Sequence, residues 1–141
     1  MLIMGSKAVG AGNVQAEADE IILQGALTAA TGTAVGGVLK LKNDFGIDLI
    51  VTDVFIDIKT KSAAAAATID MGVDDGGDVS SDNLLDGLAV GTATGVFCNR
   101  RNAGTNGGCA VWKKDEYIVA TASGTLAGLV GTYIIKATPR L

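Results

Sequence analysis

Ile47-Asp48-Leu49-Ile50-Val51-Thr52-Asp53-Val54-Phe55-Ile56-Asp57-Ile58-Lys59-Thr60 decides the fold. β-Branched residues dominate it, and apolar and charged positions alternate with a period of two, the pattern of a half-buried strand. Read as straight alternation, Ile50, Val54, Ile56 and Ile58 share the buried face, and Asp53, Asp57 and Lys59 share the other with Phe55. Asn43-Asp44-Phe45-Gly46 turns the chain just before it.

Working outward, the same pattern recurs in shorter pieces. Leu39 and Leu41 alternate with Lys40 and Lys42, and Thr68 to Asp74 alternates Ile69, Met71 and Val73 against Thr68, Asp70 and Asp74. Further strands are expected at Leu88–Val90, Thr94–Cys98, Ala110–Lys113, Glu116–Ala122 and Gly128–Thr138, separated by Gly/Ala/Ser/Asp/Asn turns. The five alanines Ala63 to Ala67 are too short a run to nucleate a helix and read as a loop. Ser80 to Gly87 has an N-cap and a glycine stop around one expected helical turn. About eight strands spaced by turns describe an antiparallel, all-β sandwich or barrel.

Residues 1–35 differ. They hold the apolar groups Leu2, Ile3, Met4 and Ile21, Ile22, Leu23, the acidic residues Glu17, Asp19 and Glu20, and room for a short helix near 13–20. Too short to build a core, this segment reads either as a disordered lead-in or as an N-terminal arm that orders on a neighbour, with the domain proper at 36–141. Extended, the arm could reach roughly 120 Å. Its six apolar residues are the candidate contacts with other subunits.

Composition limits the chemistry. The chain has no histidine, so the commonest general base and metal ligand is missing. Its five serines have no activating partner at recognisable spacing, and no phosphate-cradling glycine motif occurs. Asp53 and Asp57, about 13 Å apart along a strand, do not suit glycoside hydrolysis. Asp74-Asp75-Gly76-Gly77-Asp78, with Asp82 and Asp86, is the best calcium candidate, but it lacks EF-hand spacing and equally suits turn caps. No enzyme activity, cofactor or metal is expected.

A net charge of −4 with no basic stripe argues against nucleic acid. No run of about 20 apolar residues suggests a membrane span. The N-terminus lacks the order of a signal peptide, so synthesis in the producing cell's cytoplasm is expected. Cys98 and Cys109 bracket a turn-rich stretch and could form a disulfide; free thiols are the alternative that a reducing compartment favours. Trp112, beside the charged turn Lys113-Lys114-Asp115-Glu116, either packs or offers a stacking surface, and packing is the preferred reading.

Several of these stretches also carry a family resemblance. Thr68-Ile69-Asp70-Met71-Gly72-Val73-Asp74, Ser80-Ser81-Asp82-Asn83-Leu84-Leu85-Asp86-Gly87-Leu88-Ala89-Val90-Gly91-Thr92-Ala93, Gly95-Val96-Phe97, the Ile47–Ile58 strand and Ala127-Gly128-Leu129-Val130-Gly131-Thr132-Tyr133-Ile134 resemble a pattern in small virion proteins of tailed bacteriophages. Those are capsid decoration (cement) proteins and related head-surface jelly rolls. The resemblance covers about residues 36–138, and the chain departs from it at Cys98 and the 99–108 loop. It implies a jelly-roll β-sandwich on the capsid exterior, a homo-oligomer partnered with the major capsid protein. A receptor- or glycan-binding module of a head or tail fibre, or such a fibre's capsid-anchoring base, is the alternative.

Overall fold

The structure, a computed structural model, describes residues 2–6 (backbone), 20–102, 104 and 108–141. Its strands are β1 (Leu2–Ser6), β2 (Glu20–Ala26), β3 (Leu39–Lys42), β4 (Leu49–Thr60), β5 (Thr68–Asp74), β6 (Leu85–Ala89), β7 (Gly95–Cys98), β8 (Ala110–Trp112), β9 (Tyr117–Ala122) and β10 (Val130–Pro139). No helix occurs among the described residues. The turn expected at 80–87 instead runs into β6, because Leu85 and Leu88 are buried in the core and the chain must extend to place both. Of the helix expected near 13–20, all but Glu20 lies outside the described residues, and Glu20 opens β2.

The strands make two antiparallel sheets that close as a jelly-roll-like sandwich. The larger, six-stranded sheet runs β1-β2-β10-β4, with β7 and β8 both paired to the free edge of β4; the smaller runs β3-β9-β5-β6. Between them, Leu23, Val54, Ile56, Ile58 and Ile135 of the first sheet meet Ile69, Met71, Leu88 and Ile118 of the second, all at most 1% exposed. Each such side chain contributes about 1.5–3 kcal/mol by leaving water.

β2 corrects the sequence reading. It lies inside the six-stranded sheet, paired to β10 from Thr132↔Ala26 to Ala137↔Ile21, and Leu23 and Leu27 belong to the core. Thr28 and Ala30 bond across to Val38 and Leu126. The boundary expected at residue 35 therefore falls within the sandwich. A single apolar run looked too short to matter, but a seven-residue strand needs only one buried row to join an existing sheet.

β4 holds a second correction. Its pairing with β10 slips between Lys136↔Asp53 and Ala137↔Val51, a bulge that leaves Thr52 without an opposite residue. The extra residue reverses the alternation, so Leu49 and Val51 are buried together with Val54, Ile56 and Ile58, and Ile50 turns outward. Ile50 is thus not on the core face where straight alternation put it.

Candidate interaction surface

The two sheets differ in what covers their outer faces. On the smaller sheet, the row Lys40–Val119–Gly72 faces out, yet Val119 is fully buried. The 75–83 loop folds over it. Gly72 packs directly under Ser81 and Asn83, and a Cβ on Gly77 would meet the Tyr117 ring at 2.8 Å. Asp74 fixes this cover by accepting from the N–H groups of Asp78 and Val79 at 3.0 and 3.2 Å. Its carboxylate, the centre of the calcium candidate, is thereby engaged in a turn, and no group of metal-ligating side chains gathers among the described residues.

The six-stranded sheet has no such cover among the described residues. Its register sets outward rows across β2, β10, β4 and β7: Ile22–Lys136–Asp53, Gln24–Ile134–Phe55–Cys98, and Ala26–Thr132–Asp57–Val96. The β4 bulge adds Ile50, flanked by Thr138 and Val111, to the same face. Phe55, Asp57, Val96, Thr132, Ile134 and Lys136 line a hollow of about 330 Å³. Charged groups on this face are mutually paired: Arg100–Asp53 at 3.2 Å, Lys59–Asp57 at 2.7 Å and Lys136–Glu20 at 3.9 Å. Lys136 also lies 5.8 Å from the Phe55 ring centre. Asp53 and Asp57 are thus ion-pair partners on an apolar face.

Asn99 makes this edge possible. Fully buried at 1% exposure, it sits where β7 ends and β8 has not begun. Its Oδ1 accepts from Val54 N at 3.1 Å, and its Nδ2 donates to Gly108 O at 2.7 Å and Thr52 O at 3.3 Å. One side chain therefore bonds the strand backbone on both sides of the bulge and closes the 99–108 loop at its base. Asn43 does similar work at 0% exposure, donating to Ile47 O and Trp112 O at 3.0 and 2.9 Å. Neither asparagine stands out in the sequence, since both occur in ordinary turn composition.

Cys98 and Cys109 are free, the first half-buried on the bare face and the second exposed. Cys98 lies opposite Phe55 and Ala110 opposite Val51, with Asn99 and Gly108 bonded between them. Strand rise then separates the cysteines by roughly 10 Å, beyond the ~7 Å Cα spacing a disulfide accepts. Trp112 is fully buried, donates to Glu116 O at 2.9 Å and packs edge-on against Phe45 at 6.5 Å, so its ring is no stacking platform.

Of the six apolar contact candidates, Leu23 is in the core and Ile21 packs against it, leaving Ile22 to face outward. Leu2, Ile3 and Met4 pair through their backbone with Gln24, Leu23 and Ile22 on the edge strand β1; their side chains lie outside the described residues.

No protein-family model matches the chain, and no curated protein matches it in sequence. In three dimensions it is similar to a chain of the capsid of Ralstonia phage GP4, with a TM-score of 0.58 at 12% identity over 96% of this chain and 92% of that one. It is also similar to a chain of the acid-stable capsid of Helicobacter pylori bacteriophage KHP30, with a TM-score of 0.56 at 9% identity over 97% and 93%. At such identities the likeness is one of fold, and it runs nearly end to end in both pairs.

Proposed function

We propose that this chain is a structural component of a bacteriophage virion, specifically a capsid decoration (cement) protein that binds the major capsid lattice from outside. The observation that carries the reading is the near-complete fold match to two phage capsid chains. A fold shared by extra domains or stray insertions would leave long unmatched segments, and here few residues of either partner go unmatched.

Contact with the lattice would run through β1. It is the edge of the six-stranded sheet, so its outer backbone groups are available for an added strand from a neighbouring subunit. Leu2, Ile3, Met4 and Ile22 would supply apolar contacts beside that edge, and selective binding to assembled capsid would stabilise the shell by mass action. The protein would be made in the host cytoplasm and end on the capsid exterior. The fibre-tip alternative draws on the 99–108 and 112–116 loops as a glycan surface, and burial of Trp112 removes its best stacking residue.

The test is to add the purified chain to heads assembled without it and measure co-sedimentation. Saturable binding at a fixed copy number per capsomer, with a raised temperature of head disruption, is expected. Uptake only at a vertex or tail, or none, sinks the decoration role.

A further inference from the structure

We propose that the bare face of the six-stranded sheet is where two copies of this chain pack against one another, sheet to sheet. This goes beyond the capsid reading, because it rests on the surface alone.

Among the described residues, one of the two outer sheet faces is covered and the other is not. Val119 lies under the 75–83 loop, whereas Ile50, Phe55, Val96, Val111 and Ile134 lie on the open face. Val96 is 67% exposed, a side chain that water solvates poorly unless something covers it.

Charge selects the occupant. Among the described residues, three cations and three anions of this face are paired with each other and their charges cancel, so these pairs offer nothing to attract a charged partner. The chain as a whole carries −4, and Asp70, Asp74, Asp75, Asp78, Asp82 and Asp86 lie on or beside β5 and β6, on the opposite sheet. Two copies meeting face to face therefore keep their acidic sides apart, and the neutral sides touch without repulsion. A strongly basic or acidic partner would instead bury charges with nothing opposite them.

Shape points the same way. Val96, the most exposed apolar side chain of this face, lines the hollow together with the half-buried Phe55 and Ile134. A knob beside a hole on one surface is self-complementary about a two-fold axis, each copy's Val96 entering the other's hollow.

Sedimentation equilibrium of the full chain tests this. A monomer–dimer equilibrium is expected within the micromolar range. Val96→Asp and Ile134→Lys should each weaken it at least about tenfold, while Val79→Asp, at an exposed valine off this face, leaves it unchanged. Far-ultraviolet circular dichroism shows that each variant is folded. Cys98, lying in the Phe55 row, should lose its reactivity toward a maleimide as concentration rises through the dimer range, and Cys109 should keep its own. A wild-type chain that stays monomeric overturns the proposal. So does a dimer that survives Val96→Asp with Cys98 still reactive. Failure to bind heads, scored separately, would bear on the capsid role and leave this contact standing.

Discussion

At the scale of single residues, the most informative side chains are the polar ones that the core retains. Asn99→Ala would strip two buried backbone groups and one partly buried one of their partner, and a loss of about 3 kcal/mol in urea unfolding is expected. A loss near zero would mean water replaces the amide, and the bulge needs no clamp. Gly25 offers a steric counterpart. A Cβ there would fall 2.7 Å from Tyr133 Oη and 2.9 Å from its ring, so Gly25→Ala should cost roughly 1–3 kcal/mol. Burial holds the Tyr133 hydroxyl above its usual pKa of 10.0. The unfolded chain then releases that proton first as pH rises, so stability should fall above about pH 10, and Tyr133→Phe should flatten that slope. An equal slope in both proteins would remove Tyr133 as the cause.

At the scale of the element, β4 tests register. Ile56 is fully buried, and Ile56→Asp should prevent folding, since an unpaired buried carboxylate costs several kcal/mol. Asp57→Asn should shift stability by no more than about 0.5 kcal/mol, because its ion pair with Lys59 is partly solvated. The bulge gives the sharper pair. Ile50→Lys should yield a folded protein and Val51→Lys should not, and the reverse result would restore straight alternation. Sequence made the C-terminal half of this strand legible, because Val54, Ile56 and Ile58 carry an unbroken period. It could not reveal the reversal at Thr52. The bulge is fixed by Lys136, Ala137 and Asn99, which lie far away along the chain, and a run such as Leu49-Ile50-Val51 is apolar in either register.

For the whole molecule, the sandwich class and the strand-turn rhythm were readable from alternation and turn chemistry, and the packing of Trp112 from the lack of a second aromatic beside it at stacking distance in sequence. The place of β2 was not, because a short apolar run does not announce which strand it will join. That difference changes what truncation should do. Removing residues 2–30 takes away β2, leaves one edge of β10 unpaired and strips Leu23 and Leu27 from the core, so an insoluble or unfolded product is expected. A soluble β-domain from the truncated chain, seen by circular dichroism, would return β2 to the status of a detachable arm. The loop closed by Asn99 and Gly108 invites the opposite operation. Since the clamp joins its two feet, the chain between them is a socket for grafted sequence. Lengthening such a loop costs only about 0.6 kcal/mol per doubling. A foreign peptide spliced beyond Gly104, which rests against Asp82 and Asn83, would leave that contact and both strands undisturbed. On a lattice-bound protein, the same graft would be repeated across a particle at the spacing of its subunits, a ready scaffold for ordered peptide display.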